Sequence, residues 1–271
     1  MISLSPHQYP LAGPCFESLH YHLAVPGIIA GKLPASVFVD DPAHPQLALA
    51  WAKKRVYLAG GVPRPSSLSE IRSILIDRIL PQAEAAHLPM VALNYAPDSW
   101  GAALQEILSD RRPEEGMRQH YTFSALPGGW QRWIPDSFRL QVIDANFLGQ
   151  SHLKNMDGLI DEIQSEGEPL ERFLSDRFGI CALSGSEIAG WCLSEYNLGD
   201  SCEIGIETLE PYQRRGLGSA MTCALVELAL NRGVTQIGWD CYRDNLPSVA
   251  TARRAGFTLD TEYPTLVCWF Y

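Results

Sequence analysis

The chain is 271 residues long, with 46% hydrophobic and 19% charged residues, a mixture that can offset the entropy of ordering and that excludes a disordered chain. Its 31 acidic against 21 basic residues leave a formal charge of −10, a field that repels phosphate backbones, argues against nucleic acid as a partner and favours amine-bearing substrates. No stretch approaches the about 20 apolar residues of a bilayer span, and no basic segment with an apolar run opens the chain, so no membrane partner is expected and the protein is placed in the cytoplasm.

In chain order, an apolar run over Leu23–Ile29 precedes strand patterns at Ser36–Val39, ending at Asp40-Asp41-Pro42, and at Arg55–Ala59, closed by Gly60-Gly61. Ser67-Leu68-Ser69-Glu70 has the form of a capping box, and Leu68, Ile71, Leu75 and Ile79 recur at helical spacing, which predicts a helix ending at Pro81. Met90–Asn94 reads as a strand, Asp98–Leu108 as a helix and Gln119–Ala125 as a strand, giving an alternating α/β domain over residues 1–130 without a motif that reveals its chemistry. Pro127-Gly128-Gly129 and Pro135 interrupt regular pairing and mark a boundary, and a second domain occupies residues 138–271. There, helical patterns at Leu153–Ile163 and Leu170–Arg177 precede strands at Phe178–Leu183 and Glu187–Tyr196, joined by a Ser184-Gly185-Ser186 turn, and a third strand at Ser201–Leu209. No fixed-period repeat is present, which excludes a solenoid.

The cysteines, Cys15, Cys181, Cys192, Cys202, Cys223, Cys241 and Cys268, are odd in number, dispersed among apolar neighbours and without a C-x-x-C pair. Reduced, buried thiols are expected. His20 and His22 are the nearest approach to a histidine cluster, and neither H-E-x-x-H nor zinc-finger spacing occurs, so no metal site is expected.

The segment that carries chemistry begins at Cys202 and runs Cys-Glu-Ile-Gly-Ile-Glu-Thr-Leu-Glu-Pro-Tyr-Gln-Arg-Arg-Gly-Leu-Gly-Ser: a strand, a tight glycine turn and a helix. Met221, Leu225 and Leu228 recur at i, i+4 and i+7, and Gly233 stands where a left-handed cap ends a helix, so Gly216 and Gly218 open one. Glycines at such a start admit a ligand close to the backbone, and the unpaired amides with the positive helix end attract a phosphate, beside Arg214 and Arg215. A plain turn into a surface helix has the same local pattern, so the flanks decide. No Gly-Lys-Ser/Thr comes after it, and the third glycine of a dinucleotide fingerprint is missing.

Gln213–Gly218 resembles the pyrophosphate loop, Gln/Arg-x-x-Gly-x-Gly/Ala, of the GNAT superfamily of N-acetyltransferases. A strand at Val234–Cys241, then Asn245-Leu246-Pro247-Ser248, a short helix and Arg254-Ala255-Gly256-Phe257 resemble that family's Asn-x-x-Ser/Ala…Gly-Phe block. Trp191–Tyr196, Ile206–Thr208 and Trp239–Cys241 are similar to the subgroup containing zwittermicin A resistance proteins, in which a diverged α/β half precedes the catalytic domain. The resemblance implies an α/β (α+β) GNAT fold, a mixed, mostly antiparallel sheet flanked by helices, preceded by a smaller GNAT-like α/β domain. It implies transfer of an acetyl group from acetyl-CoA to a primary amine of a small molecule by direct attack on the thioester. It places Ile206, Glu207 and Thr208 along the pantetheine and acetyl group, Gln213, Arg214, Arg215, Gly216, Leu217, Gly218 and Ser219 at the pyrophosphate, and Asn245 and Ser248 beside the cofactor.

The match has a gap: where many members carry a tyrosine as general acid, this chain has Ala252, and Tyr242 lies nearby without matching the motif. For the base, the catalytic candidates are Glu207 and Asp240, with Glu203 and Glu195 as alternates, because burial beside a cofactor raises a carboxylate pKa. Each is equally readable as a solvated or ion-paired strand carboxylate, and Asn245 as a helix N-cap. A non-catalytic acetyl-CoA-binding sensor and an acyltransferase using a different acyl-CoA remain as alternatives, and either a monomer or a homodimer is compatible with the sequence.

Overall fold

The computed structural model describes residues 1–165 and 169–270. Its elements run β1 (Ile2–Leu4), a 3-10 segment (Pro6–Leu19), α1 (Ala24–Ile29), β2 (Ser36–Val39), β3 (Leu47–Ala52), β4 (Arg55–Gly60), α2 (Pro65–Arg72), α3 (Leu80–Ala85), β5 (Met90–Ala96), α4 (Trp100–Ile107) and β6 (Glu114–Phe123). After a 3-10 turn at Trp130–Trp133 come β7 (Arg139–Val142), α5 (Ala145–Leu148), α6 (Met156–Ile163), α7 (Leu170–Asp176), β8 (Gly179–Ser184), β9 (Glu187–Leu198) and β10 (Ser201–Thr208). The chain closes with α8 (Leu217–Asn231), β11 (Gln236–Tyr242), α9 (Leu246–Arg254) and β12 (Phe257–Trp269).

These elements form two compact units, Met1–Arg118 with the residues from Glu262 onward, and Gln119–Thr261. The division differs from the boundary suggested by Pro127–Pro135, and packing explains why. Tyr121 on β6 and Trp130 join the core under α8, and Ser124 N–H donates to the Gly256 carbonyl at 2.9 Å, so this stretch belongs to the second unit. The end of β12 pairs antiparallel with β5 from Thr265↔Asn94 to Trp269↔Met90, which returns the C-terminus to the first unit.

In the first unit the strand order is β1-β2-β3-β4-β5-β12, antiparallel except for the parallel pair β4 and β5. Val56, Leu58, Ile71, Leu75, Ile79, Leu93 and Trp100 form its core. The helix expected to stop at Pro81 instead starts earlier, at Pro65, and continues through a π-helical Ser73–Ile79 into α3. Proline within an α-helix lacks an N–H and clashes with the preceding turn. Here the Leu80 amide reaches back to the Leu75 carbonyl, and that wider turn accommodates Pro81 at the start of α3.

The second unit has the order β12-β6-β11-β10-β9-β8-β7. The β10–β11 pair is parallel, as a helical crossover requires, and the β7–β8, β8–β9 and β9–β10 pairs are antiparallel. Helix α8 is apolar on most sides because it is buried: Met221, Cys223, Leu225 and Val226 pack with Cys202 and Ile204 of β10 and Ile237, Trp239 and Cys241 of β11. Burying a residue the size of Trp239 is worth about 3–5 kcal/mol against truncation to alanine. Residues alternate along β10, so Glu203, Gly205 and Glu207 face away from α8. On that other side α6 and α7 pack Leu159, Ile163 and Phe173 against Trp191 and Leu193 of β9. The strand expected from Val234 starts at Gln236, because Val234 N–H still bonds the Ala229 carbonyl at 3.0 Å beyond the left-handed Gly233. All seven cysteines are buried thiols, and burial raises those of Cys202 and Cys223 to about 12. No described helix is long and apolar enough to cross a membrane.

Candidate functional site

The site starts where two strands part. The parallel ladder of β10 with β11 runs from Ser201↔Gln236 to Glu203↔Gly238, and both strands continue for several residues beyond it. Gln213 Nε2 donates to the Thr208 carbonyl at 2.9 Å, which ties the adjoining loop to the end of β10. Arg214 and Gly216 have positive φ, 59° and 84°, and this double reversal turns the chain into α8. A left-handed N-cap is natural for glycine and costs other residues about 1–2 kcal/mol.

A cavity of about 660 Å³ lies at this helix start. Its walls are Ile206, Glu207 and Thr208 from β10, Tyr212, Gln213, Arg214, Gly216, Leu217, Gly218 and Ser219 from the loop and α8, and Asn245, Pro247, Ser248, Ala250, Thr251 and Arg254 from α9. The amides of the first helical turn have no intrahelical acceptor and carry the positive end of the helix dipole. A side chain at Gly218 would stand 3.5 Å from Thr251 and 3.6 Å from Ile206, ordinary contacts, so the space in front of this glycine serves the cavity and not the packing. Arg254 is held over the Trp133 ring at 4.3 Å and borders the cavity. Glycine backbone, helix N-terminus and two arginines suit a phosphate-bearing ligand.

Ile206, Glu207, Thr208, Gln213, Arg214, Gly216, Leu217, Gly218, Ser219, Asn245 and Ser248 therefore come together from three elements. Arg215 is not among the lining residues: its guanidinium lies 5.9 Å from the Phe138 and Tyr212 rings and donates to the Pro211 carbonyl at 3.0 Å. Asn245 does cap α9, accepting from Ser248 N–H at 3.2 Å, and it also lines the cavity. Sequence reasoning passed over Arg254, Thr251 and Pro247, although i, i+4, i+7 spacing puts all three on one face of α9. Ala252, in contrast, is fully buried in the core, so that position offers no acid.

The carboxylates separate. Glu207 borders the cavity, and partial burial together with the nearby Glu162 carboxylate raises its pKa above the usual range. Asp240 stands two residues past the last β10–β11 pair, and its Oδ2 meets Nδ1 of the buried His120 at 2.9 Å. Burial works against the imidazolium, but the hydrogen bond and charge of Asp240, with Glu203 and Asp260, outweigh it and hold His120 above the usual histidine value. Glu203 pairs across the sheet with Glu195. Among the described residues no group of three or more His, Cys, Asp or Glu side chains is gathered as a metal site.

The chain is 22% identical over 262 residues to the uncharacterized N-acetyltransferase YdfB of Bacillus subtilis, covering 96% of this chain and 95% of that one. A GCN5-related N-acetyltransferase-like protein from Streptococcus suis superposes with a TM-score of 0.72 at 20% identity, covering 97% of this chain and 99% of that one. A GCN5-related N-acetyltransferase from Sphaerobacter thermophilus gives 0.63 at 11% identity, over 98% and 94% of the two chains. The family model of GNAT acetyltransferases matches residues 13–266, through both units. The chain belongs to the GNAT acetyltransferase family, and with it to the acetyl-CoA-dependent N-acetyltransferases.

Proposed function

We propose that the enzyme transfers the acetyl group to a primary amine of a small molecule, by direct attack of the amine on the thioester. The observation that carries this reading is the cavity itself, which opens at the start of α8 and extends between the ends of β10 and α9. Bound acetyl-CoA supplies the activated thioester. The amides of Leu217, Gly218 and Ser219 hold the pyrophosphate, with Arg214 and Arg254 adding charge, and the backbone of Ile206–Thr208 lies along the pantetheine arm with Asn245 and Ser248 opposite. The chain's own chemistry is then to receive a cationic amine and remove its proton. Glu207 and Asp240 are assigned to that work, Glu207 at the cavity wall and Asp240 on strand β11 beyond the fork. A small polyamine-like or amino-containing antibiotic acceptor suits the net charge of −10 and the likeness to zwittermicin A resistance proteins.

Calorimetric titration with acetyl-CoA and with free coenzyme A tests the cofactor half of the reading. Micromolar binding by the wild type that disappears in Gly216→Glu supports it. Binding that survives this substitution in a folded protein rejects the loop assignment. Thiol release from acetyl-CoA across a panel of primary amines tests the acceptor half.

A further inference from the structure

We propose that Glu187, held by Lys154, is a positioning residue for the loop between β10 and α8: it fixes Tyr212, and with it the cavity wall and the start of α8, before a ligand arrives. The inference rests on the proposed function, in which that cavity takes acetyl-CoA. Its ground is a chain of contacts outside the cofactor motif. Tyr212 closes a 3-10 turn, Glu210–Tyr212, and lines the cavity. Its hydroxyl donates to Oε2 of Glu187, the first residue of β9, and Lys154 Nζ donates to Oε1 of the same carboxylate at 2.5 Å. Both oxygens of Glu187 are thus engaged, one by the loop and one by the segment between α5 and α6.

An ion pair as exposed as this one, with Lys154 at 69% and Glu187 at 36%, ordinarily contributes little, because two long side chains must be ordered to make it. Here the backbone has already brought the two residues together. Lys154 N–H donates to the Ser186 carbonyl at 3.0 Å, Ile188 N–H to the Lys154 carbonyl at 3.1 Å, and Asn155 Nδ2 to the Ile188 carbonyl at 2.9 Å, so Lys154 and Glu187 stand side by side in a short parallel bridge. The hydrogen bond from Lys154, then that from Tyr212, holds the Glu187 carboxyl below its usual range, and the bond to Glu187 raises the Tyr212 phenol. The contact that reaches the loop is therefore charge-assisted.

The loop's own bonds show what this contact adds. Leu209 N–H reaches the Ala189 carbonyl of β9 at 3.0 Å. Beyond it, Tyr212 N–H returns to the Leu209 carbonyl at 2.8 Å, Gln213 N–H to that of Glu210 at 3.3 Å, and the Arg215 guanidinium to that of Pro211 at 3.0 Å, all within the loop. Arg215 and Phe138 lie against the Tyr212 ring, each at 5.9 Å. Tyr212 is gripped at ring and hydroxyl, and Gly216 with the first amides of α8 follows it by a few residues. A loop that its ligand must order loses that entropy from the affinity, and apparent affinity falls with the fraction of molecules already in the competent form.

Acetyl-CoA binding to the full chain, followed by calorimetry and stopped flow, tests the tether. Tyr212→Phe and Glu187→Met should each raise the dissociation constant about fivefold, with the change in the association rate and dissociation nearly unaltered. The double variant should be no worse than either single one. Lys154→Met should cost about twofold, and Lys154→Arg should restore wild-type affinity. Hydrogen exchange in the ligand-free protein gives a readout that needs no cofactor. The bonded amides of Tyr212, Gln213 and Ala220 should exchange faster in both single variants, while those of Cys192 and Leu193 in β9 keep their protection. Unchanged affinity, or losses that add in the double variant, would overturn the proposal. Exchange that rises equally along β9 would make Glu187 a general stabiliser and overturn it too. If the wild type fails to bind acetyl-CoA, the cofactor reading falls, and the exchange measurement alone decides whether Glu187 holds the loop.

Discussion

Each unit contains a strand, a glycine turn, a helical stretch and a parallel partner strand, and the two versions end differently. In the first unit β4 leads through Gly60 and Gly61 into α2, and β4 stays paired with β5 over the whole run from Arg55↔Ala92 to Ala59↔Ala96. Its helix starts on Pro65, and the amide of Arg64 donates to Ser67 Oγ at 3.0 Å, so the start is closed by the chain itself. In the second unit β10 parts from β11 after Glu203, and α8 starts on a left-handed glycine facing a cavity. Gly60 answers a packing need, since a Cβ there would meet the Gln46 carbonyl oxygen at 2.3 Å, whereas Gly218 has ordinary clearance and keeps space open. The same supersecondary unit becomes a wall when its ladder is complete and its helix capped, and borders a cavity when both are left unfinished.

The largest expected effect breaks the second version at its most permissive point. Gly218→Glu avoids the positive-φ strain of Gly216 and puts a carboxylate in the space before the helix start. Acetyl-CoA affinity should fall at least about 100-fold, near 3 kcal/mol, with an unchanged circular dichroism spectrum. Retained affinity would mean that the ligand lies elsewhere. Next comes Arg254→Ala, which removes one charge-assisted contact and should weaken acetyl-CoA binding by about tenfold. Trp133→Ala should cost less. Combined with Arg254→Ala it should add little, because the ring acts by holding that guanidinium. Additive losses in calorimetry would show Trp133 to have its own contact with the ligand.

This contrast also explains what the sequence revealed. The site written into backbone was legible, since Gly216, Gly218 and Gly233 fall where a glycine turn and a capped helix need them. Strands with a compact apolar run, such as β2, β4 and β8, were found within a residue or two. What escaped were features set by distant partners. Strand β12 reads as a polar stretch, Thr258 to Glu262, and then an apolar one, because successive parts of it belong to different units. His120 carried no local motif at all, and only the neighbouring of β6 and β11 brings it to Asp240. The turn away of Arg215 is due to Phe138 and Tyr212, which the cofactor motif does not include.

A milder substitution tests the closed version. Ser67→Ala removes the acceptor for the Arg64 amide and should cost about 1 kcal/mol of stability by denaturant titration. If the first unit's helix start serves only folding, acetyl-CoA affinity will not change. A tenfold loss of affinity would mean that this start, too, touches the ligand, and the distinction between the two units would fall.

The smallest effect concerns pH and the closed end of the fork. His120 has its pKa raised in the folded chain, net of burial, by Asp240 and then by Glu203 and Asp260. A folded pKa above the unfolded one, about 6.5 for histidine, means that the folded state binds the proton more tightly. The stability so contributed is fully present below the unfolded value and is lost as pH rises through the folded one. Asp240→Asn removes the hydrogen-bonded charge that leads the upward shift, so its deficit against the wild type should be widest on the acid side of the histidine range and narrow as pH rises past it. Stability curves for the two proteins that stay parallel through this range would mean that the His120–Asp240 contact carries no net charge coupling.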